Sequence, residues 1–454
     1  MQGKINKKDN PDRLPLGKFF AWRAGAFSLA GNFILMGYVM IYCTDMLKMP
    51  AELVGSILLA SKIIDAVLEL YAGYYVDRTK SRLGKGRPWD LCLIGMWIST
   101  VLLFATPVGA SLVAKAIWIF TMYMFVQSIF QTLAQAGSIP YMMRAFRNKN
   151  VIVKVQSYGG VVGMVLSIGL SVLLPKLVKS MGTSPSGWTL LVTLVAVPLL
   201  LLGLTRFIFV KEIYEIQEPA KEKIKIKDVL KTISGNKYIW LVCGITLVMQ
   251  IISGMNAGTY YFTYIVGDIS KLGTLQIVSI AILPLMFIFP KIIKKFSIST
   301  VIAAGAAMAV LGCIIAFFSG SSMMMLMAAE VIKALGMLAP PYLITVMIMD
   351  CAKYNLWKGN ASMEASLAAL NSFSSNVGTG LGSALVGFLL GAAGYVGGAA
   401  TQNPETLLMI RLLYSLIPGV LYALMYVFAR LYKLDKMMPQ IDKDIEERSA
   451  NQVA

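Results

Sequence analysis

Three charged residues in the second apolar stretch of the sequence are the clearest candidates for chemistry. Lys62, Asp65 and Glu69 stand three and four residues apart, so a helix would place them on one face. A charge at the middle of a bilayer costs at least about 2.5–3.5 kcal/mol, and Lys62 can offset only one of the two carboxylates. We therefore predict a cation site at Asp65 and Glu69. A permanent Lys62–Asp65 ion pair with a purely structural role is the alternative.

The residue types leave H⁺ and Na⁺ open as the coupling ion. Carboxylate oxygens suit a hard cation such as Na⁺, and Gln135 could add a carbonyl ligand from another helix. A like-charged neighbour instead favours proton binding by one carboxyl group, and Lys62 competes with Na⁺ for the same oxygens. No other cofactor or metal is expected, because the chain has no histidine and its five cysteines are widely separated.

Twelve apolar segments must position these residues. Hydrophobic residues make up 57% of the 454 and charged residues 14%, whereas a soluble protein carries about 25% charge. This composition excludes a soluble enzyme and a nucleic-acid binder. Segments that cross a bilayer must be helical, since their backbone groups find no water there. The segments lie near residues 19–43, 53–76, 90–109, 114–142, 152–175, 187–210, 238–265, 273–290, 298–319, 323–349, 362–393 and 405–430.

The longest polar stretch divides these segments into two sets of six. We predict an N-terminal bundle over 1–210, a cytoplasmic central loop over 211–237, a C-terminal bundle over 238–432 and a cytoplasmic tail over 433–454. Most of the 41 basic residues fall in the N-terminus, the even-numbered loops and the tail, which places both termini in the cytoplasm. We expect a monomeric, multi-pass protein of the inner (cytoplasmic) cell membrane. The odd-numbered loops hold only Lys48, Lys115, Lys176, Lys179 and Lys271.

Uncharged polar side chains in the fourth, seventh and eleventh segments predict a cavity for a small-molecule solute. Within a membrane such groups either face water or bridge neighbouring helices, and both interpretations stay open for each residue. The glutamines of the fourth segment repeat every four residues, which places them on one helical face. The predicted cavity residues are Gln127, Gln131, Ser138, Asn256, Asn371, Ser375 and Asn376.

The loop after the second segment carries charges suited to a conformational latch. Its sequence over 77–89 is DRTKSRLGKGRPW, and further charges follow the tenth segment and begin the eleventh. Charge pairs at helix ends can form in one conformation and separate in another; a solvated basic loop is the alternative. The predicted latch residues are Asp77, Arg78, Arg82, Lys85, Arg87, Asp350 and Glu364.

This loop closely resembles the second-to-third helix loop of the major facilitator superfamily, and in particular of its glycoside–pentoside–hexuronide:cation symporter family. The segments SIPY (138–141), YYFTYIVGD (260–268) and 350–364 are similar to segments of the same family, so the resemblance covers nearly the whole chain. It implies an all-α major facilitator fold of twelve transmembrane helices. It also implies cation-coupled symport of a sugar, glycoside or sugar acid by alternating access, and no enzymatic activity.

By the same resemblance, Asp65 and Glu69 fall on the paired acids of the family's cation site and Lys62 on its basic residue. Two positions depart from a well-known member: Leu68 replaces an asparagine and Gln135 a threonine. The sugar-binding residues match less well than the coupling residues. The alternatives are therefore the same fold carrying a lipid-like or other organic solute, or a membrane sensor that does not transport.

The distribution of basic residues yields a test of orientation. In a chain whose native cysteines are replaced, Lys223→Cys should react with an impermeant maleimide only in inside-out vesicles. Lys48→Cys, in the first odd-numbered loop, is the matched control and should react only in intact cells. Labelling of Lys223→Cys from outside intact cells would contradict the orientation.

Overall fold

The computed structural model describes residues 16–79, 81–146, 149–213, 235–282, 296–338, 340–360 and 363–453. Throughout these residues the regular structure is helical, with no β-strand among them. Eight of the described helices are long and apolar enough to cross a membrane. The prediction of an all-α membrane protein is thereby confirmed. Most of the central loop, over 214–234, lies outside the described residues.

The chain divides into two compact units, and each is described by itself. The first comprises Met1–Met49 and Ile64–Ala220, the second Pro50–Ile63 and Lys221–Ala454. The helices from the first half of the chain are α1 (Leu16–Met36), α2 (Val39–Ile41), α3 (Ala51–Arg78), α4 (Cys92–Leu103), α5 (Leu112–Tyr123), α6 (Thr132–Ala145), α7 (Lys149–Met181) and α8 (Pro185–Phe209).

Two stretches of π-helix interrupt the helices of the first unit. Tyr42–Met46 follows α2, and Met124–Gln131 joins α5 to α6. A π-turn holds one more residue than an α-turn, and such turns are frequent at functional sites. Compared with a regular α-helix, the second stretch therefore rotates the side chains that follow it in the fourth apolar segment about the helix axis.

A fully buried ion pair lies in the core of the first unit. Nε of Arg206 donates to Oδ2 of Asp90 at 2.8 Å, and Nη2 pairs with Oδ1; the two side chains are 1% and 2% exposed. Nη1 of Arg206 also donates to Oγ of Ser138 at 3.3 Å. Its guanidinium lies 5.0 Å from the ring centroid of Trp22. Gly25 makes room for it, since a Cβ there would lie 2.6 Å from Nε of Arg206.

Single residues form two of the helix breaks that lie inside apolar segments in the second half of the chain. Asn256, in the left-handed conformation with φ 45°, separates the first two helices of this half, and Ser415 separates two others. In order the helices are α9 (Lys237–Met255), α10 (Ala257–Tyr264), α11 (Ser270–Ile282), α12 (Ile298–Phe318), α13 (Met323–Gly336), α14 (Pro340–Trp357), α15 (Glu364–Ala392), α16 (Pro404–Tyr414), α17 (Leu416–Leu431) and α18 (Leu434–Val453).

Helices α9 and α15 of the second unit pack backbone against backbone. A Cβ on Gly378 would lie 2.7 Å from the carbonyl oxygen of Leu247, so a larger residue has no room there. Small residues are how membrane helices approach each other closely. The hydroxyl of Thr246 donates to Oδ1 of Asn371 at 2.6 Å across the same interface. Asn371 therefore bridges two helices.

The C-terminal tail forms the polar helix α18, which docks on α14. Nζ of Lys353 lies 2.8 Å from Oδ1 of Asp442, and Nε1 of Trp357 donates to Oδ2 of Asp444 at 2.8 Å. The apolar side chains of Leu434 and Ile441 are buried in the core of the second unit. The tail is therefore part of the folded second unit.

The buried pair and an exposed pair allow a matched test of stability. Arg206→Met leaves the Asp90 carboxylate buried without its partner, which should destabilise the protein by about 3–5 kcal/mol. Lys353→Met removes one partner of an ion pair whose side chains are 48% and 46% exposed, and should cost at most about 1 kcal/mol. Thermal unfolding of the purified variants measures both. Equal shifts in the two variants would contradict a central role for the Arg206–Asp90 pair.

Candidate functional site

The predicted cation residues lie on one uninterrupted helix, α3. Lys62 and Asp65 are 7% and 6% exposed, whereas Glu69, one turn further on, is exposed. The stem of Lys62 packs on Gly380 of α15, where an added Cβ would lie 2.9 Å from Cβ of Lys62. The helix thus keeps the ammonium group of Lys62 and the carboxylate of Asp65 away from bulk water. One turn further on it carries the more accessible carboxylate of Glu69.

A hydroxyl that the sequence analysis did not single out reaches Asp65. Oγ1 of Thr132 lies 3.0 Å from Oδ1 of Asp65 and 2.9 Å from the carbonyl oxygen of Gln127. Thr132 is the first residue after the π-helical stretch. Gln135, the residue that the sequence analysis selected, lies almost one turn further along α6 and is exposed. A single threonine in an apolar helix forms no periodic pattern, so no sequence signal indicated that Thr132 contacts Asp65.

Two of the predicted cavity glutamines bind each other. Nε2 of Gln127 donates to Oε1 of Gln131 at 3.0 Å, and the two residues are 5% and 7% exposed. Both belong to the π-helical stretch that leads into Thr132. The carbonyl of Gln127 thus links this pair to the Asp65–Thr132 contact. The result is a connected run of polar groups through the middle of the fourth apolar segment.

The other predicted cavity residues lie in separate surroundings. Ser138 accepts from Arg206 and belongs to the buried ion pair, whereas Asn371 bridges α9 and α15. Ser375 and Asn376 are half-buried on α15, and Asn256 is exposed at the break after α9. The predicted set is therefore not one cluster. Its members divide between the two units.

The predicted latch loop is held by a carboxylate that the sequence analysis missed. The backbone N–H groups of Lys85, Gly86 and Arg87 donate to the carboxylate of Glu212 at 2.8, 2.7 and 2.6 Å. Successive N–H groups of this kind form a concave nest for an anion. Glu212 follows the end of α8, so the nest fastens the loop to that helix. No spacing in the sequence links residues more than a hundred positions apart.

Side chains of the same loop add to this attachment. Nε of Arg87 donates to the carbonyl of Phe207 at 2.9 Å, and its guanidinium lies 4.7 Å from the centroid of the Phe207 ring. Nε1 of Trp89 donates to the hydroxyl of Thr79 at 3.1 Å. Arg78 and Arg82 are exposed. The side chain of Asp77, also a predicted latch residue, lies outside the described part.

The predicted latch residue Asp350 lies just past the tenth apolar segment, on α14. Burial raises the pKa of its carboxyl to about 6; Lys353 opposes that shift, and Asp435 and Asp442 add to it. The charge of Asp350 therefore changes near neutral pH. Glu364 is the first residue of α15, and its side chain lies outside the described part.

Comparison with known proteins identifies similar chains over nearly the full length. Residues 24–436 match the family model described as MFS/sugar transport protein. An isoprimeverose transporter of Lactiplantibacillus pentosus is 26% identical, over 97% of this chain and 93% of the relative. The putative glycoside/cation symporter YagG of Escherichia coli (strain K12) is 24% identical, over 95% of this chain and 93% of the relative.

Among solved structures, a bacterial homologue of the human drug peptide transporters PepT1 and PepT2 aligns with a TM-score of 0.66. The alignment covers 94% of this chain and 99% of that one, at 13% sequence identity. A bacterial homologue of the lysosomal transporter Spinster aligns with a TM-score of 0.65 at 15% identity, over 92% of this chain and 96% of that one. At such identities the likeness concerns the fold.

The nest at Glu212 predicts how the loop responds to a change of charge. Glu212→Gln keeps the size of the side chain but weakens three hydrogen bonds to a charged group, each worth about 1.5–3 kcal/mol. Hydrogen–deuterium exchange of a peptide spanning residues 81–91 should become faster. Glu405→Gln changes a carboxylate in the first turn of α16 and should leave that peptide unaffected. Unchanged exchange in Glu212→Gln would show that the carboxylate does not hold the loop.

Proposed function

The chain belongs to the MFS/sugar transport protein family, and on that premise we propose that it is a cation-coupled sugar symporter. The family is one of transporters, so the protein is a secondary active transporter and not an enzyme. The relatives that match it along almost their whole length include an isoprimeverose transporter and a glycoside/cation symporter. Their names support a sugar or glycoside as the solute and a cation as the coupling ion.

The observation that carries the proposal is the buried Asp65 carboxyl with Thr132 at its oxygen. An ionisable group inside an apolar helix is costly, and in transporters such groups mark ion pathways and proton relays. Asp65 is 6% exposed and Oδ1 lies 3.0 Å from the Thr132 hydroxyl. The exposed Glu69 on the same helix would give the cation a second carboxylate on its route.

The hydrogen-bonding capacity of Thr132 favours H⁺ as the ion. A hydroxyl carries a single hydrogen and can also accept. When Asp65 is ionised, Thr132 donates to it; when Asp65 is protonated, Asp65 donates to Thr132, which then donates to the carbonyl of Gln127. In both states Asp65 and Thr132 remain hydrogen-bonded to each other, so a proton can bind and leave without separating them.

The remaining expectations complete the proposal. We infer twelve transmembrane helices with cytoplasmic termini, a monomer, and insertion in the inner membrane of a bacterial cell. The bacterial relatives support insertion in a bacterial membrane. The lipid bilayer is then a partner of the protein.

Uptake by proteoliposomes tests the proposal. Asp65→Asn should abolish accumulation of sugar against its gradient while leaving downhill exchange, because the neutral side chain can no longer bind and release the ion. With H⁺ as the ion, Thr132→Val should lower the half-saturating H⁺ concentration roughly fivefold, because the hydrogen bond that is lost stabilises the ionised carboxylate by about 1 kcal/mol more than the protonated one. Thr132→Ser keeps the hydroxyl and is the matched control.

The choice of ion is tested in the same vesicles. With H⁺ as the ion, an imposed pH gradient drives accumulation, and added Na⁺ at fixed pH has little effect. If uptake instead saturates with Na⁺ and does not change when the pH gradient is collapsed, Asp65 belongs to a sodium site. Full gradient-driven accumulation in both Asp65→Asn and Glu69→Gln would overturn the proposed coupling.

A further inference from the structure

A polar cavity of about 500 Å³ lies inside the second unit. Its volume falls within the roughly 300–1,000 Å³ of small-molecule sites in proteins. The walls come from α9, α10, α11, α12, α13, α16 and α17, so helices of one unit line the cavity, which is partly open. The side chains that give it its chemistry are Ser253, Asn256, Gln276, Glu330, Lys333 and Tyr414.

An ion pair forms part of the cavity wall. Nζ of Lys333 lies 2.7 Å from Oε2 of Glu330, and the two side chains are 14% and 29% exposed. Nζ also lies 4.9 Å from the ring centroid of Tyr414. An ammonium has three hydrogens and a carboxylate two oxygens, so the pair keeps hydrogen-bonding capacity after its members bind each other. The remaining donors of Lys333 and acceptors of Glu330 lie at the cavity wall.

The backbone around the cavity is interrupted on two sides. Asn256 has φ 45° between α9 and α10, a conformation that costs a residue other than glycine about 1–3 kcal/mol. Ser415, next to the cavity residue Tyr414, separates α16 from α17. Interrupted membrane helices line solute sites in many transporters. Two interruptions at one cavity therefore point to a site for a ligand.

The packing behind Lys333 keeps its side chain in this position. A Cβ on Gly312 of α12 would lie 2.6 Å from Cγ of Lys333. The absence of a side chain at Gly312 thus lets the lysine stem lie against α12. The ammonium is then held at the wall beside Glu330 and Tyr414.

We propose that this cavity binds an uncharged sugar ring, an inference that rests on the proposed function and specifies its substrate class. Adjacent hydroxyl groups of a sugar can bind the pair together, one donating to Glu330 and the next accepting from Lys333. The amides of Asn256 and Gln276 can donate and accept, and the ring of Tyr414 offers an apolar face to the C–H side of the sugar. Because the charges of Glu330 and Lys333 cancel, the cavity holds no net positive charge for a sugar acid.

Neutralising both members of the pair separates binding from structure. Removal of both partners of a buried ion pair is often nearly neutral for stability, whereas removal of one is not, and the Glu330–Lys333 pair is partly buried. The double variant Glu330→Gln/Lys333→Met should therefore unfold close to the wild-type temperature. Its half-saturating sugar concentration in uptake should rise at least about tenfold, or 1.4 kcal/mol. Lys353→Met/Asp442→Asn, which removes the ion pair between α14 and α18, is the matched control and should stay near the wild-type value.

A cysteine in the cavity wall reports occupancy directly. Ser253 is exposed and lines the cavity, so Ser253→Cys, with the native cysteines replaced, should be alkylated by a small maleimide. Sugar should slow that reaction, and it should not slow alkylation of the control Ser186→Cys at the start of α8. The probes are glucose, xylose, isoprimeverose and lactose as uncharged sugars, with glucuronate as the sugar acid.

The outcomes distinguish this inference from the proposed function. Uptake and protection by an uncharged sugar, both lost in the double variant, support the inference. Suppose that the wild-type protein takes up a sugar, that this sugar does not protect Ser253→Cys, and that the double variant keeps the wild-type half-saturating concentration. The ion pair is then structural, and the proposed symport still stands. Preferred uptake of glucuronate likewise overturns only the inference. Failure of the wild-type protein to take up any of these probes counts against the proposed function and, with it, against the inference.

Discussion

The cost of holding a charge among apolar side chains governs this structure. Arg206 is 1% exposed, and its guanidinium is matched by Asp90, Ser138 and the face of Trp22. Lys333 is matched by Glu330 and Tyr414 in the same manner. Arg206 and Lys333 thus each have an opposite charge and an aromatic ring within reach, and the surrounding helices pack around these groups.

Departures from the regular α-helix place the polar groups where they can act. The π-helical stretch Met124–Gln131 brings the carbonyl of Gln127 and the hydroxyl of Thr132 together beside Asp65. In the second unit, the left-handed Asn256 lines the cavity with the ion pair, and the irregular Ser415 follows the cavity residue Tyr414. A regular helix satisfies all of its backbone groups internally. An interruption instead leaves some of them available to a solute or an ion.

Attachment of loops and tail follows the same electrostatic principle outside the apolar segments. Glu212 accepts three backbone hydrogen bonds from residues 85–87, and Lys353 pairs with Asp442 of α18. The two contacts differ in strength: the first satisfies one carboxylate from three directions, whereas the second is half exposed and screened by water. The loop is accordingly fastened more firmly than the tail at these contacts.

The class of the protein and the positions of its main candidate residues follow from the sequence alone. A scarcity of charge and long apolar segments dictate membrane helices, and the offsets of Lys62, Asp65 and Glu69 dictate one helical face, because both depend only on local helix geometry. The tertiary structure alone decided which residues meet. Three contacts join positions that are 67 to 127 residues apart in the sequence. They are Thr132 with Asp65, Glu212 with the loop over 85–87, and Arg206 with Asp90. Such pairings depend on how helices pack and where a π-turn shifts their register, which no single segment encodes.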